Sequence, residues 1–295
     1  MDFKVILALL ALYLGWGSTY LAIAVALEHF PPFMLAGIRF FLAGSIFFGW
    51  CLLQRIKIPP DKDILKICLA GFFLLFLGSG SVIWVSQFLS TGIIAIIWAS
   101  LPVWLVVMDR NNWKFYLPNF KLIAGLIIGF FGVLILFWDK TSNNGTFREL
   151  IMAIGGVLCF SIGSLYSKYV SFKNNILMVV AIQMIFVGVL AIATSICIGE
   201  DMPTSTNISF TKSALGLAYL IIIGSLVAYS AYVWLLKVLP PIVVGTYTYI
   251  NPAVAVFLGW WFLKEDVTNQ KIVALTLIFI GTLIVNIYKS KTQKL

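Results

Sequence analysis

The sequence predicts an all-α protein that crosses a membrane ten times, and three observations lead there. Of its 295 residues, 61% are hydrophobic and 11% are charged, with a mean hydropathy of +1.04, whereas ordinary soluble domains carry roughly 25% charge. The apolar residues fall into ten runs close to the length of about 20 residues that a membrane helix requires. Lys and Arg are shared unevenly between alternate connections. This composition excludes a disordered chain, a coiled coil, a secreted disulfide scaffold and a soluble domain on a lone anchor. The short alternating strands of a β-barrel are not visible in it.

The first five runs are 4–26, 33–53, 64–87, 92–108 and 121–137. A polar outer link, 138–150, leads to 151–169, 175–198, 213–236, 243–262 and 270–288, and a basic tail follows at 289–295. Two units result, 4–137 and 151–288. Pro31-Pro32, Pro59-Pro60 and Pro240-Pro241 fall between runs, as turn residues should. The first run is longer than the core of a signal peptide and no small-x-small cleavage site follows it, so it is expected to be a retained helix. With the N-terminus inside, fourteen of the 20 Lys and Arg lie on cytoplasmic segments, five lie outside, and Arg39 lies within the second run. That asymmetry places both termini in the cytoplasm. The net charge of +9 is then the charge that meets anionic lipids of the cytoplasmic (inner) membrane, and it calls for no nucleic-acid partner.

The halves resemble each other. At an offset of 150, Trp84 pairs with Trp234, Pro102 with Pro252, Asn119 with Asn269 and Lys121 with Lys271. At an offset of 146, Gly17-Ser18-x-Tyr20 pairs with Gly163-Ser164-x-Tyr166. Five runs per half is an odd number, so the second half is expected upside down relative to the first. Inverted repeats build many secondary transporters, with the site between the repeats near the midplane.

Further motifs bring a family into view. They are Leu14-Gly15-Trp16-Gly17-Ser18-Thr19-Tyr20, Pro32-Phe33-x-x-Ala36-Gly37-x-Arg39-Phe40, Trp84-x-x-Gln87-x-x-x-Thr91-Gly92 with Leu101-Pro102, and Tyr249-x-Asn251-Pro252 with Gly259-x-x-x-Leu263-x-Glu265. The chain resembles the drug/metabolite transporter superfamily, in particular its ten-helix EamA group, over roughly residues 5 to 288. The resemblance implies a central cavity, alternating access, and traffic in amino acids, related metabolites or drugs.

Candidate substrate-binding residues come from helical faces. Trp16 and Tyr20, Trp84 and Gln87, Trp98 and Pro102, Tyr229 and Tyr232, and Tyr247 and Asn251 stand three or four apart, and such pairs share a face. Ser100 beside Trp98, and Tyr166 as repeat partner of Tyr20, join them. Aromatic residues also form interfacial belts, which is the competing reading for Trp84 and Tyr232 near run ends. Arg39 sits about six residues, roughly 9 Å, from the outer end of its run. Charge inside a bilayer is costly and informative: Arg39 either faces the cavity and attracts a carboxylate, or ties together backbone carbonyls. Lys168 and Lys237, at run ends, either snorkel or line an inner vestibule. Pro102 and Pro252 occupy matching positions, as paired hinges or as fixed kinks. Gly125-x-x-x-Gly129 permits close helix contact, within the bundle or as the face of a homodimer.

No mid-run acid is present, so coupling to protons would have to use an end-of-run acid such as Glu265 or Asp109. His29, the one histidine, is expected as a solvated loop residue. Cys51, Cys68, Cys159 and Cys197 form no C-x-x-C pair, and neither a disulfide, a metal site nor another cofactor is expected. No P-loop is present. An enzyme would need placed acids, histidines or an activated nucleophile, so no catalytic residue is assigned. The expected function is secondary transport, in the direction of export, of a small-molecule substrate; the alternative is a membrane sensor or scaffold that keeps the transporter fold.

Overall fold

The computed structural model describes residues 2–89, 91–137, 147–170, 172, 174–201, 208–263 and 268–292. Among these residues the only regular structure is helical. The first half contains α1 (Phe3–Leu27), α2 (Pro32–Leu53), α3 (Asp61–Gly71) continuing through a π-helical stretch Phe72–Ser79 into α4 (Gly80–Val85), α5 (Thr91–Ala99), α6 (Leu101–Met108), a short α7 (Trp113–Tyr116) and α8 (Phe120–Phe137). The second half contains α9 (Phe147–Val170), α10 (Ile176–Ile198), α11 (Ile208–Tyr219) continuing through a second π-helical stretch Leu220–Tyr229 into α12 (Ser230–Val238), α13 (Pro241–Gly245), α14 (Tyr247–Leu263) and α15 (Asn269–Thr292).

Six of these rods are long and apolar enough to cross a membrane: Phe3–Leu27, Pro32–Leu53, Asp61–Val85, Phe147–Val170, Ile176–Ile198 and Phe210–Val238. Ile93–Met108 with Arg110–Tyr116 makes a seventh if the pair, bent by 68° at Asp109, is taken as one. Two shorter apolar helices, Phe120–Leu136 and Asn269–Val285, accompany them. The outer surface carries Phe3, Leu53 and Phe120 at 70, 80 and 82% exposure. Such apolar area is a liability in water and is the ordinary surface of a bundle in lipid. The protein is a multi-pass membrane protein.

The same packing occurs twice. The closest pairs are α2 with α10 and α8 with α15, each helix lying on its counterpart in the other half. In turn, α1 packs on Leu220–Tyr229 and α14, while α9 packs on Phe72–Ser79 and α6. Glycine sets these distances: a Cβ on Gly44 of α2 would come within 2.7 Å of the Ile185 nitrogen of α10, and one on Gly281 of α15 within 2.5 Å of the Gly129 nitrogen of α8. The Gly125-x-x-x-Gly129 motif is therefore used inside the chain, against α15.

Local chemistry fixes the ends. Gly199 adopts the left-handed conformation (φ 70°) that ends α10, and the Glu200 nitrogen bonds back to the Ser195 carbonyl, a favoured role for glycine. That turn aims the Glu200 carboxylate at the start of α2, where it accepts from the Phe33 and Met34 nitrogens at 3.1 and 2.9 Å. Pro31 supplies no side-chain cap there, and a carboxylate at a helix N-terminus is stabilising. His29 is half-buried rather than solvated: its Nδ1 bonds Ser213 Oγ at 3.0 Å, and that hydroxyl donates to the Val25 carbonyl. A neighbouring helix reaches the loop and covers it, which the loop's own sequence does not reveal.

Candidate substrate cavity

Trp16 is the centre from which the site is built. Its indole Nε1 donates to the Gly224 carbonyl at 3.0 Å, within the second π-helical stretch. Its ring meets Tyr247 edge-on at 4.8 Å between centroids, Tyr232 at 5.2 Å and Phe160 at 6.1 Å. Phe160 in turn meets Trp98 and Tyr232, both at 5.2 Å. Five rings from α1, α5, α9, α12 and α14 thus form one aromatic layer, in edge-on and tilted geometries that suit ring quadrupoles.

Beside this layer lies a cavity of about 60 Å³, lined by Trp16, Thr19, Tyr20, Ile23, Arg39, Ser79, Val82, Trp98, Phe160, Tyr247 and Asn251. The volume holds a few water molecules and is well below the roughly 300 Å³ at which ordinary ligand pockets begin. Arg39 is 6% exposed. Its Nε donates to Ser225 Oγ at 2.8 Å, and its guanidinium lies 5.0 Å from the Phe40 ring centre. Room for it exists because residue 224 is glycine: a Cβ there would come 2.7 Å from Arg39 Nη2. Among the described residues no carboxylate lies within ion-pair distance of Arg39. Two more cavity groups lack partners, Trp98 Nε1 and Asn251 Oδ1, and their side chains are 5% and 3% exposed. A buried unsatisfied polar group costs about 1–3 kcal/mol.

One end of the cavity is sealed in successive layers along α9. One turn past Phe160, Ser164 Oγ bonds Tyr232 OH at 2.5 Å. About 13 Å past Phe160 at 1.5 Å per residue, Tyr169 donates to Asp109, which also accepts from Tyr116 OH at 2.8 Å and Asn112 Nδ2 at 3.0 Å. Lys168 Nζ donates to the Leu239 and Lys237 carbonyls, and Lys237 Nζ to the Phe172 carbonyl at 3.0 Å. The two lysines cap carbonyls at the ends of each other's helices, a normal role for C-terminal lysines. Asp109 is 2% exposed; Glu265 lies outside the described residues.

Of the twelve residues expected to bind substrate, the structure brings Trp16, Tyr20, Arg39, Trp98, Tyr247 and Asn251 to the cavity wall and puts Tyr232 in the ring layer behind it. It does not bring the other five there. Trp84 meets Phe88 in a tilted pair and lies under Arg148, 6.0 Å from its ring centre, while Gln87 is exposed and donates to the Trp84 carbonyl. Ser100 is occupied locally, donating to the Ile97 carbonyl and accepting from Trp104 Nε1. Tyr229 donates to Gln183 in a buried pair at 2.8 Å. Tyr166 packs against a small separate cluster with Ile67, Phe172 and Val179. Tyr166, the repeat partner of Tyr20 in sequence, therefore lies apart from the cavity. Thr19, Ile23, Ser79, Val82 and Phe160 line the cavity without having been singled out. Thr19 and Ile23 lie three and seven residues after Trp16, a spacing that could have found them.

The matching prolines differ in setting. Pro102 opens α6 directly after a break at Ser100, whereas Pro252 lies inside α14 and the break in that region falls at Thr246. The π-helical stretches, by contrast, do coincide at the repeat offset of 150, and such bulges concentrate at functional sites.

Comparison with known proteins follows the same lines. The model of the EamA-like transporter family matches residues 3–138 and again 147–287. The chain is 31% identical over 284 residues to the uncharacterized inner membrane transporter YedA of Escherichia coli (strain K12), covering 96% of this chain and 90% of that one. It is 24% identical over 302 residues to the probable amino-acid metabolite efflux pump of the same organism, covering 98% and 96%. A protein crystal structure with 16% sequence identity superposes with a TM-score of 0.78 over 99% of both chains, a likeness of fold.

Proposed function

Because the chain belongs to the EamA-like transporter family of the drug/metabolite transporter superfamily, we propose that it is a secondary carrier of small amphipathic metabolites in the cytoplasmic (inner) membrane, working by alternating access and in the direction of export. The reading takes ten spans, the six long rods, the bent pair, the two shorter apolar helices and α13–α14, and the helices observed are consistent with that number. An even number of spans puts both termini on one side, and the basic residues favour the cytoplasm. Reciprocal packing of the halves supports the inverted repeat, and the double match to one family model supports units at 4–137 and 151–288. The name of the efflux relative supports export and amino-acid-like substrates.

The observation that carries the reading is an expensive cavity between the halves. Its lining residues include a guanidinium without a counter-charge, an indole whose N–H is an orphan and an amide whose oxygen is an orphan. A sensor or scaffold would be more stable with apolar groups in those places, whereas a binding site keeps such cost because function needs it. The small volume means that the site must widen for any metabolite, and the layers at Tyr232, Asp109 and Lys168 are what must part on one side.

Reconstituted flux tests this. Proteoliposomes loaded with labelled L-phenylalanine, L-leucine, 3-phenylpropionate, phenethylamine or uridine should release at least one of them faster than protein-free liposomes. Trp98→Ala should lower that rate about tenfold, and Phe131→Ala should not, because Phe131 is 54% exposed on the lipid side. Its neighbour Phe130 is half-buried against the core and would be a poor control. Release at the protein-free rate for every compound would reject the carrier reading.

A further inference from the structure

Arg39 carries the only charge on the cavity wall, and the described chain supplies it with no counter-charge. A guanidinium stays protonated under any physiological condition. The same wall includes Trp98 and Asn251, whose Nε1 donor and Oδ1 acceptor are both buried and both without partners. The rest of the wall is aromatic or aliphatic, apart from the hydroxyls of Thr19, Tyr20 and Ser79. The residues that carry these groups border one cavity of about 60 Å³. A ligand complementary to them has an anionic group, a separate N–H or O–H donor, and an apolar body.

Resting on the reading of this cavity as the transport site, we infer that its substrates are small carboxylates and that organic cations are excluded. Arg39 and Trp98 Nε1 receive the carboxylate oxygens, Asn251 Oδ1 receives the substrate's donor, and the rings of Trp16, Phe160 and Tyr247 hold its apolar part. Planar guanidinium matches carboxylate in shape as well as charge. An amine without a carboxylate would leave Arg39 unpaired and add a second positive charge beside it, and like charges at close range repel strongly.

Three probes with the same ring separate the contributions: L-phenylalanine, 3-phenylpropionate, which lacks the ammonium group, and phenethylamine, which lacks the carboxylate. Binding to the purified protein is measured by titration calorimetry, with each variant checked for a monodisperse, folded peak. Both carboxylates should bind and phenethylamine should bind at least tenfold more weakly than either. Arg39→Gln should weaken both carboxylates by about 10- to 100-fold, since hydrogen bonds to charged groups contribute about 1.5–3 kcal/mol and 1.4 kcal/mol is tenfold. Arg39→Lys should restore part of the loss. Asn251→Leu should lower phenylalanine affinity about tenfold and leave 3-phenylpropionate unchanged, a readout that survives if the Arg39 variants fail to fold. Equal or stronger binding of phenethylamine, no binding of any probe, or carboxylate binding indifferent to both positions would overturn the inference. Flux separates the two claims. Movement of phenethylamine but not of the carboxylates leaves a carrier and removes the carboxylate site; Arg39-dependent binding with no movement does the reverse.

Discussion

Arg39 shows most clearly how a residue's cost indicates its use. It is held in place by one hydrogen bond to Ser225 and by the space that Gly224 leaves, yet its charge is unbalanced. The same holds for Trp98 and Asn251, whose orphan atoms destabilise the resting protein. Asn251→Leu, close in shape and free of the orphan oxygen, should therefore raise stability by about 1–2 kcal/mol while reducing transport of phenylalanine, read as an increase in melting temperature alongside a slower phenylalanine flux. A drop in melting temperature with flux intact would mark Asn251 as structural. Sequence reasoning reached these residues because polar and charged groups are rare inside an apolar run. It placed Trp84, Gln87, Ser100, Tyr166 and Tyr229 with them because helical spacing states which residues share a face and not which way that face points. Local bonds then settle the matter, as when Gln87 turns back to its own helix and Tyr229 finds Gln183.

At the scale of elements, the runs of apolar residues locate the long rods to within about five residues at each end, since length and hydropathy are what a bilayer selects, but they do not show the breaks at Ser100 and Thr246. The two π-helical stretches were not legible: nothing in Phe72–Ser79 or Leu220–Tyr229 differs in composition from a helix of normal pitch, and the wider turn is set by what packs against it. Glycine spacing was legible as close approach but not as to partner. Gly44 and Gly49 lie on the same helix and make a direct test. Gly44 faces the α10 backbone, and a Cβ on it would come 2.7 Å from Ile185, whereas one on Gly49 would meet nothing within 4 Å. Gly44→Ala should destabilise by about 1–3 kcal/mol through overpacking, and Gly49→Ala should stabilise by up to about 1 kcal/mol through helix propensity. Equal melting temperatures for the two variants would show that α2 and α10 are not packed at this register.

For the whole molecule, the unbalanced charge at Arg39 constrains how the carrier turns over. Under the alternating access proposed above, the site passes through a closed form in which water is excluded and every electrostatic term grows stronger. An empty carrier makes that passage with a bare guanidinium between its halves, and an unpaired buried ion costs several kcal/mol even after relaxation. A carrier loaded with a carboxylate makes it with the charge neutralised. The loaded form should therefore reorient faster than the empty one, and at 1.4 kcal/mol per factor of ten even a modest part of that cost separates the two by at least about tenfold. The expected behaviour is exchange. Release of labelled 3-phenylpropionate from proteoliposomes should speed up about tenfold or more when unlabelled 3-phenylpropionate is supplied on the opposite side, in a buffer otherwise free of small carboxylates. Arg39→Gln removes the charge that penalises the empty form, so its residual flux, though slower, should no longer respond to substrate on the opposite side. Wild-type release that is indifferent to the opposite side would mean that the empty carrier closes without penalty, and that the charge on Arg39 is balanced within the protein itself.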